Sequence, residues 1–307
     1  MGYVSDFEQS GFIVVRGFLS ARQINALRKH CYRASLLLLG RLGRMDLAPR
    51  ISSMTIEHDL VELERELSGF SLWLTINPFL THELLQVALS PSLTRLAATL
   101  LGPGRLALHP FLGMRCKVPG VDLHDVPWHQ DSAYLRSLTG VNSIVTVWIP
   151  CVSTSVENGG LQISPTDERN SHELKHHPEI DKAGSWYLRL ESLPDGCAIK
   201  SITAEPGDVV VFRHNVPHRS TPNRSSSTRL AFDMRYHLEA SANGTTQISL
   251  AIPEEGSGEL TEELSDDALR LIEASRVRSF GYHPQALPVD PPWFQRWHSI
   301  ARSGPHD

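Results

Sequence analysis

Several features are scarce in this chain, and each scarcity removes a class of function. Apolar stretches are short, as at Leu36 to Leu39, far below the roughly 20 residues needed to cross a bilayer. No membrane partner is expected. There is no dense Lys/Arg block and the formal net charge is -5, so nucleic acid, which is bound through concentrated positive charge, is a poor partner. The four cysteines, Cys31, Cys116, Cys151 and Cys197, lie far apart with no C-x-x-C pair. That spacing suits neither a zinc knuckle nor a disulfide frame, and they read as small buried hydrophobes. A basic start followed by an apolar segment is also missing, so residues 1–11 do not read as a secretory signal. Gly2 is followed by Asp6 where a myristoylation motif needs Ser or Thr, and Gly304-Pro305-His306-Asp307 is no peroxisomal address. A cytoplasmic location is expected, and in it the sequons Asn223-Arg224-Ser225 and Asn243-Gly244-Thr245 are coincidental.

What is present describes an ordinary folded protein, with 41% hydrophobic and 21% charged residues in 307. The chain reads as a single domain over 1–307. The opening Gly11-Phe12-Ile13-Val14-Val15-Arg16-Gly17-Phe18-Leu19 is strand-like. Ser20 and Gln23 then form a capping-box pattern ahead of Ile24, Leu27, Cys31 and Ala34 at helical spacing. Residues 57–70 and 81–101 read as helices, with Pro91 starting a new one and Gly102-Pro103-Gly104 ending it.

From about residue 105 the texture changes to short strand-like runs. They fall at Leu106 to Met114, Ser143 to Ile149, Gly160 to Ser164, Ala198 to Thr203, Asp208 to Phe212 and Leu230 to His237. The pattern predicts an all-β sandwich or barrel over 105–240, with the helices of 1–104 packed outside it. Residues 241–307 read as a mixed strand and loop segment, a helix over Thr261 to Ser275, and an extended tail carrying Pro284, Pro288, Pro291 and Pro292.

The chemistry gathers in two segments. In the extended run Val126-Pro127-Trp128-His129-Gln130-Asp131, residues two apart point to one side, so His129 and Asp131 can face one interior point. The second segment runs from Glu205 through a buried strand to His214-Asn215-Val216-Pro217-His218. His218 completes a set of two histidines and one carboxylate, which favours iron(II) with open positions over the closed tetrahedron usual for zinc. His214 is the competing choice. His218 is preferred because Arg229 follows eleven residues later on the next strand, where its planar guanidinium could grip a carboxylate close to the metal.

A rival motif lies between them. His172-Glu173-Leu174-Lys175-His176 matches the zinc-protease H-E-x-x-H signature. The motif needs a stable helix, whereas 167–179 is almost wholly polar and Pro178 follows closely. A zinc hydrolase is therefore the weaker reading.

In the order His129-Gln130-Asp131, Trp148, Asn158-Gly159-Gly160-Leu161-Gln162, His218-x-Ser220-x-x-Asn223-x-Ser225 and Arg229, the chain resembles the phytanoyl-CoA dioxygenase family from about residue 5 to 238. The resemblance implies a double-stranded β-helix, a jelly-roll barrel, with His129, Asp131 and His218 on Fe(II). It implies that Arg229 and Ser220 hold the far carboxylate of 2-oxoglutarate, with Gln130 and Trp148 lining the cosubstrate side and Tyr134 near the substrate pocket, although Tyr134 serves equally well as a packed aromatic with a bonded hydroxyl. O₂ would be consumed, with release of succinate and CO₂. The Pro-Gly-Ser-His turn usual after the N-G-G-L segment is replaced by Ser164-Pro165-Thr166-Asp167-Glu168-Arg169-Asn170-Ser171-His172, as if lengthened. In related halogenases a small residue stands in place of the carboxylate, so Asp131 favours oxygenation. Hydroxylation of a small metabolite in a biosynthetic pathway is the expected reaction, by a monomer or homodimer, with 45–80, 165–195 and the C-terminal segment as expected substrate contacts. A jelly-roll binding protein without turnover is the rival within the same fold.

Overall fold

The computed structural model describes residues 2–76, 79–109, 112–134, 144–167, 172–179, 187–238 and 250–251. The expected helix at 261–275 and the proline tail lie outside them. Two antiparallel sheets face each other without joining into a closed barrel. The larger orders its strands β1 (Phe12–Val15), β9 (Val209–Arg213), β4 (Ile144–Pro150), β11 (Arg229–Leu238), β2 (Leu106–Leu108) and β12 (Leu250–Ala251), with β3 (Gly113–Lys117) also paired to β11. The smaller is β10 (His218–Ser220), β5 (Leu161–Ile163) and β8 (Lys200–Ser201). A separate hairpin joins β6 (His176–Pro178) to β7 (Leu188–Leu190).

The central strands β4 and β9 are buried along their whole length, as expected of strands covered on both faces. Alternation assigns each side chain to a layer. Val145, Val147 and Ile149 of β4 and Leu230, Phe232, Met234 and Tyr236 of β11 join the helices in one core. Trp148, Val210, Phe212 and Ala231 turn the other way and meet Leu161 and Ile163 of the smaller sheet. The inward face of β11 also carries Arg229, Asp233 and Arg235, all buried. An apolar outer face and a charged inner face on one strand mark the inner side as the place for chemistry.

Helix α2 (Ala21–Arg41) is the main strut of the outer layer. Its start is the expected capping box, in which Ser20 and Gln23 satisfy each other's backbone N–H. Ile24, Leu27, Cys31, Ala34 and Leu38 form the buried stripe. The expected helix at 57–70 is instead two, α3 (Ile56–Glu66) and α4 (Phe70–Ile76), separated at Gly69, whose φ of 85° is open mainly to glycine. The 81–101 segment is also a pair, α5 (His82–Ala88) and α6 (Pro91–Leu101), with Pro91 in the first turn. An additional helix, α1 (Gly2–Ser10), precedes β1. The single run expected over 106–114 is two strands, β2 and β3, each laid along β11. No single helix among the described residues is long and apolar enough to cross a membrane.

All four cysteines are free thiols; Cys31, Cys116 and Cys151 are buried as expected, whereas Cys197 is half-buried. Leu27, fully buried in the N-terminal half of α2, is the sharpest probe of the outer core. Leu27→Ala is expected to lower unfolding stability by about 2–5 kcal/mol, measured by urea titration at unchanged m-value.

Candidate active site

Two segments far apart in the chain meet where the smaller sheet is extended by one residue. His129 and His218 form an antiparallel bridge, each N–H donating to the other's carbonyl at 3.0 and 2.9 Å. Directly opposed residues project to the same face, and the two imidazoles lie 4.1 Å apart between centroids. Their Nδ1 atoms contact backbone carbonyls, Pro127 at 2.9 Å for His129 and Val216 at 3.0 Å for His218. A carbonyl can only accept, so each Nδ1 carries the proton and each Nε2 presents a lone pair.

Gln130 is extended, with φ -114° and ψ 138°, which brings Asp131 to the same side as His129. The Asp131 Oδ1 lies 3.8 Å from His129 Nε2, and the ligand atoms of His129, Asp131 and His218 all fall within 4.8 Å of one another. This is the only such cluster among the described residues. Thr146 donates to Asp131 Oδ2 at 2.6 Å, and Arg235 donates to Oδ2 at 3.1 Å and Oδ1 at 3.2 Å. Burial by itself would raise the Asp131 pKa, but the Arg235 guanidinium outweighs it and keeps the carboxyl ionised well below its ordinary range. Burial drives both histidines below their usual value, His129 further through its neighbour His218. Two neutral imidazoles and one carboxylate are the protonation states a divalent metal requires.

The cleft next to these ligands is lined in part by Trp148, Ser220 and Arg229. Arg229 is 3% exposed and donates from Nε to the Gly159 carbonyl at 3.0 Å. Its Nη1 is buried with no hydrogen-bond partner among the described residues. A buried guanidinium N–H left unpaired costs free energy, and an anionic oxygen in the cleft would recover it. Burial lowers the Arg229 pKa to about 10, so the group is charged at neutral pH. Ser220 Oγ accepts from Lys117 Nζ at 2.9 Å and from the Val126 N–H at 3.2 Å, which leaves its own proton to donate. Trp148 lies 5.8 Å below the Arg229 guanidinium, within reach of a cation–π contact.

Other expected residues sit differently. Gln130 does not line this cleft. Its amide nitrogen donates to the carbonyls of His172 and Asn215, and its amide oxygen accepts from the Leu174 N–H. It tethers the chain, as the residue between two inward-facing neighbours should. Tyr134 packs edge-on against His129 at 5.6 Å, and its hydroxyl bonds to the backbone N–H and C=O of Leu188. His214 stands outside the metal cluster, with its ring Nδ1 against the Ile144 carbonyl at 3.4 Å. Of the described residues in 45–80 and 165–195, none lines the cleft.

The H-E-x-x-H reading is overturned. His172 to Lys175 are irregular, His176 opens β6, and no helix forms. His176 Nδ1 donates to the Leu174 carbonyl and its Nε2 accepts the Gln130 backbone N–H at 3.0 Å. The motif's second histidine thus helps to hold the H-x-D segment. Residues without a sequence signal complete the site: Thr146 and Arg235 on Asp131, and Lys117 on Ser220 and, at 2.7 Å, on Asp125.

The phytanoyl-CoA dioxygenase (PhyH) family pattern matches residues 7–231. Peroxisomal phytanoyl-CoA dioxygenase of Rattus norvegicus is 22% identical over 252 residues, 80% of this chain and 71% of that protein. Dioxygenase lolE1 of Epichloe uncinata is 28% identical over 97 residues, 32% of this chain, so the match spans about a third of lolE1, 34% of its length. Among solved structures, the non-heme monooxygenase ThoJ in its apo form superposes with a TM-score of 0.61 at 17% identity, covering 98% of this chain and 99% of that one. Its nickel complex gives 0.55 at 18% identity, with 90% and 96% covered. At such identities the likeness establishes a shared fold. Because the family match runs through both ligand segments and reaches past Arg229, the chain belongs to the phytanoyl-CoA dioxygenase family of iron- and 2-oxoglutarate-dependent oxygenases.

Proposed function

We propose that this protein oxidises a small organic molecule, with hydroxylation as the reaction, and that His129, Asp131 and His218 hold its ferrous ion. The observation that carries the proposal is the pairing of two buried Nε2 lone pairs and a carboxylate, within 4.8 Å of one another, with the unpartnered Nη1 of Arg229 in the same cleft. Oxygen and imidazole donors without thiolate suit non-haem iron, and three protein ligands leave positions for other groups.

When bound, the metal with 2-oxoglutarate and O₂ supplies the oxidising chemistry, giving succinate, CO₂ and an oxygenated product. The chain's own groups bind and orient. Arg229 and the Ser220 hydroxyl hold the far carboxylate of the cosubstrate, and Trp148 walls the cleft beside them. Lys117 positions Ser220 through its Oγ. Asp131 would be the third metal ligand, at the position that halogen chemistry needs open, and its three hydrogen bonds hold the carboxylate towards the two imidazoles.

Two outcomes test this reading. Anaerobic addition of 2-oxoglutarate to the Fe(II) protein is expected to produce a visible metal-to-ligand charge-transfer band. Arg229→Leu should raise the half-saturating concentration at least about 30-fold, since charged hydrogen bonds contribute roughly 2 kcal/mol or more. An unchanged titration curve in that variant would remove Arg229 from the site. Failure to bind iron, with no succinate formed, would leave a binding protein.

For the metal itself, the ligands are already deprotonated at neutral pH, so Zn(II) uptake between pH 7 and 8 should release few protons. Calorimetry in buffers of different ionisation enthalpy should then give nearly the same heat. Arg235→Leu should weaken metal binding by about 10–100-fold, the usual effect of losing a group that orients a ligand.

A further inference from the structure

The cleft holds more positive charge than the metal and cosubstrate use. Four arginines line it, Arg115, Arg219, Arg229 and Arg235, against one lining carboxylate, Asp233. Arg235 is matched by Asp131, and Arg229 is assigned to the cosubstrate under the function proposed above, on which this inference rests. What remains is Arg115 and Arg219 with Asp233, and Asp233 is itself shared between Arg115 at 2.6 Å and Arg235 at 3.5 Å.

Arg115 has the geometry of a presented group. It lies on β3 opposite Ala231 of β11, between the positions of Arg229 and Asp233. Directly opposed residues share a face, so Arg115 turns to the inner side with Arg229 and Asp233. Its Nε and Nη2 both donate to the single oxygen Oδ2 of Asp233, at 2.8 and 2.6 Å. These two bonds fix the guanidinium plane, and Nη1 makes no hydrogen bond among the described residues. The Asp233 carboxylate keeps the half-buried Arg115 charged. Arg219 is the lesser candidate, because it stacks over Trp128 at 5.1 Å and donates from Nε to Gln162.

We infer that Arg115 is a specificity-determining residue that binds an anionic oxygen group of the substrate, a carboxylate, through the guanidinium edge that Asp233 leaves free. The substrate is then a small carboxylic acid, held by one arginine while a second holds the cosubstrate. A preorganised guanidinium favours an acid over its uncharged amide, because a charge-assisted bond is roughly twice as strong as a neutral one and the fixed fork loses little freedom on binding.

The test uses the full chain loaded with Zn(II), which keeps the complex diamagnetic and redox-inert, and saturated with 2-oxoglutarate so that Arg229 is occupied. Matched acid and amide probes, benzoate with benzamide, phenylacetate with phenylacetamide and octanoate with octanamide, are titrated by ligand-observed NMR. At least one acid is expected to bind about tenfold or more tighter than its amide. Arg115→Leu should erase that preference, and Arg115→Lys should restore part of it, which a purely structural role of the side chain would not do. Acids that bind no better than their amides, an acid preference that survives Arg115→Leu, or a preference lost only in Arg219→Leu would each overturn the assignment. Absence of 2-oxoglutarate binding to the wild-type complex would instead count against the functional reading beneath it.

Discussion

The site depends on one backbone pairing. His129 and His218 exchange two N–H···O=C bonds across the edge of the smaller sheet, and that pairing fixes what their side chains can do. Opposed residues must share a face, so the imidazoles meet without any search through rotamers of distant segments. The same local backbone supplies the carbonyls of Pro127 and Val216 that take the Nδ1 protons. The tautomer is thus set by main-chain geometry, and the lone pairs face inward before any metal arrives.

Around that pairing the protein must keep charge in a buried place, which is costly unless each charge is matched. The inward face of β11 meets the requirement by alternation: Arg229, Asp233 and Arg235 turn inward while Leu230, Phe232, Met234 and Tyr236 turn to the helices. Arg115, Asp233, Arg235 and Asp131 form a continuous run of opposite charges at 2.6, 3.5 and 3.1 Å. Loss of Arg235 from the middle of that run would leave the buried Asp131 carboxylate without its guanidinium partner. The outer core therefore has to be well packed to hold an inner face whose charges contribute little net stability.

How much of this was legible beforehand follows from which residues carry a local signal. The H-x-D spacing, the late histidine and the arginine beyond it pointed to side chains that do come together, and Ser20 with Gln23 announced the start of α2. Thr146 gave no sign, since a threonine inside Ile144–Pro150 reads as one more β-former. Arg235 was equally silent, because only the register of β11 against β4, which pairs Arg235 with Thr146, brings both to Asp131. The β6–β7 hairpin was invisible for a different reason. Its strands are held by bonds to Gln130, Tyr134 and Trp128 rather than by an apolar face, so hydrophobic periodicity had nothing to detect.

The glycines of Asn158-Gly159-Gly160-Leu161 acquire a physical meaning here. Gly159 sits at φ +88°, and a Cβ on it would lie 2.6 Å from Lys117 Cδ. The same residue's carbonyl accepts from Arg229 Nε, so one backbone unit touches both cations. Gly160 is closed to larger residues by the Ser155 carbonyl, 2.6 Å from where its Cβ would stand. Asn158 bonds the turn to the Ser153 carbonyl and the Ser155 N–H, while Asn223 across from it donates to the Lys117 carbonyl. Lys117 in turn reaches Ser220. The motif is therefore a scaffold that sets two cations at fixed positions around the cleft, and a side chain at Gly159 would act on the anion clamp by moving Lys117 and Arg229 together, with the metal ligands left in place.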